Sequence, residues 1–181
     1  LISAAEQLGA CRARVAELTI PPAAKQTFSW WLKNDFHADM HYLARPLEVR
    51  TNPLLRWPQG RSVLCAAFRY SLQSPPSPDS GIWGQIAAYA RGADYHRVVR
   101  RILQRLAKEA RTLLAQAGHP LEAEQDLGDA AICVDGEPVL EKTLALACGV
   151  GWQSKNGCLV VPGVGSAVVL GELILPFHLP P

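Results

Sequence analysis

The residues best suited to chemistry lie between positions 134 and 173. Asp135 follows the apolar run at residues 130–134, which predicts a β-strand. An acid delivered to the end of a strand lies at the edge of a sheet, where α/β proteins tend to build sites. Glu141 and Glu172 fall inside otherwise apolar segments, and a buried carboxylate needs a partner such as a backbone N–H group, Lys142 or an arginine. This stretch therefore predicts a site and not merely a core.

The clearest predicted helix, at residues 97–117, carries a second group of candidate residues. Its apolar residues recur at helical spacing, and Gly118 is a natural stop. Tyr95 and His96 lie at its start, where His96 is either a proton shuttle or a capping or packing residue. Four basic residues share one face: Arg97, Arg101, Arg105 and Lys108. That face is either solvated surface or a surface that contacts RNA phosphates.

Five segments, in a fixed order, carry a family resemblance. They are HADMHYLAR at residues 37–45, RTNP with PQGRSV at residues 50–63, YARGADYH at residues 89–96, VDGEPVLE at residues 134–141, and GVGW, KN, GS and LGE between residues 149 and 172. Together they resemble the N-terminal domain of epoxyqueuosine reductases, the cobalamin-dependent enzymes that finish the queuosine base in tRNA. Because the matches extend over nearly the whole chain, the combined signal is specific, whereas any one of them alone is weak.

The resemblance implies a fold and a set of site residues. The fold would be α/β (α+β), a mixed sheet covered by helices, similar to nitroreductase-like folds and to the cobalamin domain of reductive dehalogenases. Asp135 aligns with the family's catalytic proton donor. The positions that match the family's cobalamin pocket are Arg50, Ala87, Asp135, Asn156 and Leu170.

Three of these assignments have a structural alternative. Asp135 would cap a helix that has Pro138 at its first position. Arg50 would make a surface salt bridge, and Asn156 would be a turn residue.

The chain departs from the family pattern close to these residues. Gly136 and Glu137 stand where Ser-Gly or Ser-Ala is usual, and Ser154 and Gly157 replace family residues on either side of the Lys-Asn pair. These departures support two rival hypotheses: a divergent corrinoid-binding or trafficking module without tRNA chemistry, and a flavin enzyme on the related nitroreductase-like scaffold. Absorbance spectra of the protein mixed with cobalamin or flavin would separate them.

The reaction that the resemblance implies is cobalamin-dependent reduction of epoxyqueuosine to queuosine at the wobble position of tRNA. Reducing an epoxide to an alkene expels oxygen as water, and the oxygen leaves poorly without a proton, which Asp135 would supply. Electrons would come from a ferredoxin-like domain with two four-iron (4Fe-4S) clusters, expected after residue 181 and absent from this chain. Since the chain also begins with Leu1 and not methionine, we expect an excised single domain, residues 1–181.

Length and composition agree with this interpretation. At 181 residues and 49% hydrophobic content, the chain suits one domain with a sizeable core. A formal charge of +2 does not by itself indicate a nucleic-acid binder. The five cysteines include no Cys-x-x-Cys pair, which argues against a metal site in this chain and favours reduced, buried thiols in a cytoplasmic protein. We expect a monomer with no signal peptide.

The remaining patterns predict the elements that position these residues. The glycine pairs at positions 149/151 and 163/165 do not join a strand to a helix, which excludes NAD and ATP loops. The apolar stretch at residues 157–176 contains Pro162 and Glu172, so it predicts paired strands and not a membrane span.

Further helices are predicted at residues 1–8, 23–33 and 138–148, with short helix and turn at 40–56. Strands are predicted at residues 10–16, 62–70, 86–89, 130–134, 158–161 and 167–175, and polar connections at residues 71–80 and 119–129.

Overall fold

The computed structural model describes residues 1–73, 81, 84–116 and 132–179. Its helices are α1 (Ile2–Gln7), α2 (Pro22–Lys33), α3 (Leu47–Thr51), α4 (Tyr95–Gln116) and α5 (Glu141–Ala147). Its strands are β1 (Arg12–Glu17), β2 (Ser62–Arg69), β3 (Ile132–Cys133), β4 (Trp152–Gln153), β5 (Leu159–Val160) and β6 (Val168–Leu175). Short 3-10 turns lie at His41–Ala44, Pro53–Leu55 and Ala88–Ala90.

Strands β2 and β6 form the centre of the main sheet, whose order is β1-β2-β6-β3. Each pairing among these described strands is antiparallel. Residues 62–68 of β2 are buried without a break, as expected for a strand that is covered on both faces. The pairing register places Glu172 of β6 beside Cys65 of β2 and Cys133 of β3. A separate two-stranded sheet pairs β4 with β5.

One face of the main sheet packs against α1 and α4, and we call it the aliphatic face. Because alternate residues of a strand turn to opposite faces, Leu64 and Leu173 join Val99 and Leu103 of α4 in one buried cluster. A Cβ atom added at Gly171 would lie 2.5 Å from Cγ1 of Val99. Glycine at this position in β6 therefore allows α4 to pack close to the sheet.

The opposite face packs against α5, and we call it the thiol-carboxyl face. Cys65 and Cys133 of the strands lie there in a second buried cluster with Leu144 and Cys148 at the C-terminal part of α5. Glu172 shares this face with its register partners and is fully buried. Strands β2, β6 and β3 thus contact an aliphatic layer on one side and a layer of thiols and a carboxyl group on the other.

Helix α4 forms as its sequence pattern predicts. Buried apolar residues recur along one side, from Val99 to Ala110. At its N-terminus, Oδ1 of Asp94 accepts a hydrogen bond from the backbone N–H of His96 at 3.0 Å. This is the N-cap arrangement, in which a side-chain oxygen satisfies a backbone donor of the first turn. The cap fixes where the helix begins and hence where Tyr95 and His96 lie.

The predicted fold class, an α/β sheet covered by helices, is confirmed, with the described strands of that sheet antiparallel and not mixed. The helices predicted at residues 1–8, 23–33 and 97–117 correspond to α1, α2 and α4. The strands predicted at residues 10–16, 62–70 and 167–175 correspond to β1, β2 and β6. The connection predicted at residues 119–129, most of that at residues 71–80, and the start of the strand predicted at residues 130–134 lie outside the described residues.

The strand predicted at residues 86–89 is wrong. Ile86 and Ala87 are exposed and irregular, and the 3-10 turn Ala88–Ala90 follows them. The carbonyl oxygen of Ile86 accepts a hydrogen bond from Nε of Arg91 at 2.7 Å. Because a nearby side chain satisfies this backbone group, the segment needs no neighbouring strand.

Two further expectations need correction. The two β-rich runs within residues 157–176 do not pair with each other, because β5 pairs with β4 while β6 joins the main sheet. The helix predicted from residue 138 begins only at Glu141. The residues before it form a tight turn in which the N–H of Val139 donates to the carbonyl oxygen of Glu137 at 2.8 Å.

Candidate functional site

Asp135 lies in a tight turn directly after β3. Its φ of 54° is in the left-handed region, which side chains other than glycine rarely adopt. The N–H of Gly136 donates to the carbonyl oxygen of Val134 at 2.6 Å, so the turn closes across Asp135 over three residues. Strained backbone of this kind persists only where surrounding contacts hold it, and it tends to occur at functional sites. The carboxyl group of Asp135 is exposed at this turn.

Asp135 is not the cap of a helix. Helix α5 begins at Glu141, and its N-cap residue is Leu140. Because Asp135 lies five positions before that cap residue, its side chain is left for other contacts.

Two side chains from the start of α4 reach the carboxyl group of Asp135. The hydroxyl of Tyr95 donates to Oδ2 of Asp135 at 2.6 Å, and Nε2 of His96 lies 3.8 Å from the same oxygen. On its other side, Nδ1 of His96 contacts Oδ1 of Asp94 at 2.8 Å. Burial raises the pKa of Tyr95 well above its ordinary value, and the hydrogen bond to Asp135 adds to this rise. The structure thus brings Asp135 together with Tyr95 and His96, which the sequence analysis had placed at the start of a different element.

Glu141 holds the Asp135 turn from the side of α5. Its Oε1 accepts a hydrogen bond from the backbone N–H of Asp135 at 2.6 Å. Burial raises the pKa of Glu141 to about 7, the nearby charge of Asp135 contributes to the rise, and the hydrogen bond from the Asp135 N–H opposes it. The expectation that Glu141 would contact a backbone donor is therefore correct, and the donor belongs to the candidate catalytic residue.

A cavity of about 260 Å³ opens beside Asp135. Its floor is the first part of β6, and its walls come from the Asp135 turn, α4 and α5. The lining residues are Tyr70, Tyr89, Tyr95, Asp135, Glu141, Val168, Val169 and Leu170. Two carboxyl groups thus face a space with an aliphatic floor and aromatic walls. The predicted residues Asp135, Tyr95 and Leu170 all line it.

A second cavity, of about 410 Å³, shares part of this wall. Tyr70, Tyr89, Tyr95 and Val169 line both cavities. The second one continues past the start of α4 to Arg69 and Arg91. The two together offer room for a ligand much larger than its reacting group.

Glu137 ties the Asp135 turn to two other elements. Its Oε2 lies 2.7 Å from Nη2 of Arg56, and its Oε1 lies 4.0 Å from Nη2 of Arg100 on α4. The carboxylate of Glu137, a residue that the family pattern does not have at this position, thus pairs with arginines. Glu137 anchors the turn and does not line the cavity.

The surroundings of Glu172 differ most from those that the sequence predicts. Glu172 was expected to have a polar partner, yet it is fully buried and neither carboxyl oxygen has a hydrogen-bond partner in the described part of the chain. Burial raises the pKa of Glu172 well above its ordinary value, and the nearby charge of Glu141 adds to the rise. A neutral carboxylic acid is the form that this environment favours.

The cysteines beside Glu172 belong to the same buried layer. The sulfur atoms of Cys65 and Cys148 lie 3.4 Å apart, and burial raises the pKa of Cys65 and of Cys133. The expectation of buried thiols holds for these three, whereas Cys158 is exposed. Among the described residues, no three His, Cys, Asp or Glu side chains are grouped so that they could hold a metal ion.

The other residues predicted to bind a cofactor do not line the cavity that contains Asp135. Arg50 donates from Nη2 to the carbonyl oxygen of Tyr42 at 3.4 Å, while its buried Nε–H has no acceptor in the described chain. The salt bridge that was the alternative for Arg50 is not formed with any described residue. Asn156 behaves as a turn residue, since its Oδ1 accepts from Ser154 Oγ and from the N–H of Cys158. Ala87 is exposed just before the turn that carries Tyr89.

The basic residues of α4 are exposed, as both interpretations of that face require. They are Arg97, Arg101, Arg105 and Lys108. The side chains of Arg101, Arg105 and Lys108 form no ion pair with any residue that the structure describes. None of the described helices combines the length and the apolar character needed to cross a bilayer.

Sequence reasoning missed two of the residues around the cavity. Tyr70, at the end of β2, carried no signal that set it apart from a core residue. Tyr89 belongs to the YARGADYH segment, but the composition of residues 86–89 predicts a strand, which gives no sign that Tyr89 lines a cavity.

The fold and the site together define a class of protein. It is an α/β domain in which a helix-covered antiparallel sheet presents an acid at a strained turn above an aliphatic floor. Such an arrangement suits the transfer of a proton to a ligand that lies against the sheet.

Comparison with known proteins identifies the family. The family model described as "Epoxyqueuosine reductase QueG, DUF1730" matches residues 50–135. The epoxyqueuosine reductase of Alicycliphilus denitrificans is 31% identical to this chain over 189 aligned residues, which cover 98% of this chain and 48% of that protein. The chain belongs to the epoxyqueuosine reductase family, and it spans about half the length of the curated relatives it matches.

Two solved structures show the same fold. The epoxyqueuosine reductase from Streptococcus thermophilus has a TM-score of 0.80 and 22% identity, and the match covers 99% of this chain and 45% of that one. An epoxyqueuosine reductase crystallised with an epoxyqueuosine-modified tRNA-Tyr stem loop has a TM-score of 0.76 and 22% identity, covering 98% of this chain and 45% of that one.

Proposed function

We propose that this chain is the cobalamin-binding part of an epoxyqueuosine reductase and that Asp135 is its proton donor. The observation that carries the proposal is the position of Asp135 at the rim of a cavity with an aliphatic floor, in a strained turn that Tyr95 and Glu141 both contact. The relatives of the chain are named for the reduction of epoxyqueuosine.

Two features of the described chain, one in the cavity and one outside its lining, fit the cofactor. Val168 and Leu170, which lie on the same face of β6, give the cavity an aliphatic side that suits the apolar face of a macrocycle. The buried Nε–H of Arg50, which has no acceptor in the described chain, suits an oxygen of a ligand side chain. Arg50, Ala87, Asn156 and Leu170 are the residues that we propose hold cobalamin. When bound, cobalamin supplies low-potential electrons to the epoxide carbon.

The chain's own residues supply and hold the proton that the reaction needs. Asp135 gives a proton to the epoxide oxygen as that oxygen leaves, which avoids the release of a strongly basic anion. The hydroxyl of Tyr95 holds Oδ2 of Asp135, so the other carboxyl oxygen is free to carry the proton. His96, close to the same oxygen and bonded to Asp94, connects the carboxyl group to solvent. Electrons reach the site from an iron–sulfur domain that is not in this chain, and we propose a cytoplasmic monomer as the working form.

Replacement of Asp135 by asparagine tests this proposal. The asparagine side chain keeps the size of the aspartate and most of its hydrogen bonds but has no acidic proton. Cobalamin binding, followed by its absorbance spectrum, should survive, while single-turnover reduction of epoxyqueuosine-tRNA with chemically reduced cobalamin should fall by on the order of 10²–10⁴-fold. Wild-type rates in Asp135→Asn would remove Asp135 from the reaction. A spectral response to flavin and none to cobalamin would favour the flavin enzyme instead.

We further propose that the exposed basic face of α4 contacts tRNA phosphates. Helix α4 begins at the cavity, where Tyr95 lies, and its basic residues extend away from it over Arg97 to Lys108. At 1.5 Å per residue these positions span about 16 Å, enough to contact several phosphates along a stem. The stem next to the anticodon loop, in which the modified base lies, would then run along this helix.

A salt titration tests the basic face. Replacing Arg101, Arg105 and Lys108 by glutamine should weaken tRNA binding and flatten its dependence on salt concentration, because fewer counterions are released. Cobalamin binding should not change. An unaltered tRNA affinity across the titration would return this helix to the role of solvated surface.

A further inference from the structure

The proposed reaction needs a second proton at the same place as the first. Converting an epoxide to an alkene takes two electrons and two protons, breaks both C–O bonds and releases water. Both protons end on one oxygen. Asp135 can give one of them and is then a carboxylate, so the cavity requires a second source. This inference rests on the proposed function.

The cavity offers few groups that could supply it. Among its described lining residues, those with an exchangeable side-chain proton are Tyr70, Tyr89, Tyr95, Asp135 and Glu141. Tyr95 is unsuited, because its hydroxyl already donates to Asp135 and its raised pKa makes it a weaker acid than usual. Glu141 is the other carboxyl group that lines the cavity.

The hydrogen bonds of Glu141 leave one oxygen available. Oε1 accepts the backbone N–H of Asp135 at 2.6 Å, whereas Oε2 has no hydrogen-bond partner in the described part of the chain. A protonated Glu141 can therefore hold the turn with its carbonyl oxygen and carry its proton on the oxygen that is free. The same hydrogen bond fixes the two carboxyl groups beside each other.

The charges around Glu141 favour a proton at neutral pH. Burial has the largest effect and raises the pKa of Glu141 to about 7. The hydrogen bond from the Asp135 N–H and the charge of His96 oppose this rise, and the charges of Asp135 and Glu137 add to it. The ionisable groups that face Glu141 from each packed element are Asp135 and Glu137 in the turn, Tyr95 and His96 on α4, Cys133 on β3 and Glu172 on β6. Glu172 does not line the cavity, so it affects Glu141 only through its proximity.

We propose that Glu141 donates the second proton to the leaving oxygen. Asp135 protonates the epoxide oxygen when the first C–O bond breaks, which leaves a hydroxyl group. Glu141 protonates that hydroxyl from Oε2 when the second C–O bond breaks, and the oxygen departs as water. The two electrons come from the reduced cofactor. Asp135 and Glu141 are both left as carboxylates, and solvent returns a proton to each.

A titration of the chain without cofactor tests the acid itself. Side-chain carboxyl signals of ¹³C-labelled glutamate should include one that titrates with a midpoint of about 7, and it should be absent from Glu141→Gln. Glu6→Gln, on α1 at the protein surface, is the matched control and should keep that signal. A Glu141 signal that titrates near the ordinary value of about 4.3 would overturn the donor role. This measurement does not depend on catalysis.

Single-turnover rates test the role in the reaction. With chemically reduced cobalamin and an epoxyqueuosine stem loop, the wild-type rate should fall as the pH rises through about 7, because Glu141 loses its proton. Glu141→Gln should be slower by on the order of 10²-fold and should lack that dependence, while Glu141→Asp should recover part of the rate. His96→Gln should retain the pH dependence.

The outcomes separate the two proposals. Wild-type turnover with an unchanged rate and pH dependence in Glu141→Gln would overturn the donor role and leave the proposed function standing. Equal losses in Glu141→Gln and Glu141→Asp would also overturn it, since they would mean that Glu141 only holds the turn. If His96→Gln lost the pH dependence and Glu141→Gln kept it, His96 and not Glu141 would be the source of the second proton. No turnover by the wild-type chain would reject the proposed function, and the titration would still report on Glu141.

Discussion

The two faces of the main sheet share the same strands but bury very different side chains. On the aliphatic face, Leu64 and Leu173 pack against Val99 and Leu103 of α4. On the thiol-carboxyl face, the same strands bury two cysteines and Glu172 against α5, and Cys148 at the end of α5 joins them. Glu172 is a carboxyl group without a hydrogen-bond partner in the described chain. Leu170 is the next residue of β6 on this face, two positions before Glu172, and it lines the cavity.

This difference indicates that one face of the sheet serves stability and the other supports the candidate site. In the described part of the chain, the aliphatic face contributes dispersion and burial without an unsatisfied polar side chain, which is what stability alone requires. The thiol-carboxyl face retains a buried acid that costs free energy, and it does so directly behind Glu141 and the Asp135 turn. Proteins keep such unfavourable groups mainly where function needs them.

Removing a side chain from the aliphatic face should have the largest effect on stability. Leu103 is fully buried, so Leu103→Ala should lower the free energy of unfolding by about 2–5 kcal/mol through lost burial and the cavity left behind. Denaturant unfolding measures this. The titration of Glu141 should not change, because the other face keeps its contacts.

The control for this prediction lies on the same helix. Leu113 is 49% exposed, so Leu113→Ala should alter the free energy of unfolding by no more than about 0.5 kcal/mol. Equal losses at the two leucines would contradict the packing described for the aliphatic face.

A substitution on the thiol-carboxyl face should have the opposite sign. Glu172→Met keeps a similar volume and removes a buried polar group without a partner, so it should raise the free energy of unfolding by about 1–3 kcal/mol at neutral pH. Because folding raises the pKa of Glu172, the part of its destabilising effect that comes from ionisation is absent below the ordinary glutamate pKa of about 4.3 and grows as the pH rises above it. The gain should therefore be larger at about pH 8 than at about pH 4.

Glu172→Gln separates the two causes of that gain. Glutamine cannot ionise but is still polar, so this variant should lose the pH dependence and gain less stability than the methionine variant. A loss of stability in Glu172→Met would show that Glu172 has a partner that stabilises it.

The smallest effect is expected at the ion pairs that anchor the Asp135 turn. Glu137→Gln removes the contacts with Arg56 and Arg100, which are partly exposed, and should cost about 0.2–1 kcal/mol in low salt and less in high salt. Thermal melting at two salt concentrations measures it. Glu6→Gln, whose contact with Arg14 is 3.8 Å long, should change even less. A cost above about 2 kcal/mol at Glu137 would mean that the turn depends on this anchor.

The sequence predicted most of the elements that have a strong pattern. Helix α4 has apolar residues at regular spacing, so its existence and its buried side were predictable, whereas its start at Tyr95 and its cap by Asp94 came from the structure. The segment at residues 86–89 has strand-like composition but no strand beside it, and composition cannot reveal whether a neighbour exists. The pairing of β5 with β4 was missed for the same reason, since pairing depends on where distant segments meet.

The sequence by itself determined the fold class and, through its motifs, the family and the candidate acid Asp135, because these depend on local pattern and residue type. Only the tertiary structure decided that Tyr95 and Glu141 converge on Asp135 from two different helices. It also decided that Glu137 turns toward arginines and that Glu172 lies buried without a partner among the described residues. A hydrogen bond between residues 40 positions apart and the burial of one carboxyl group depend on how distant segments pack together. Local sequence patterns do not reveal them.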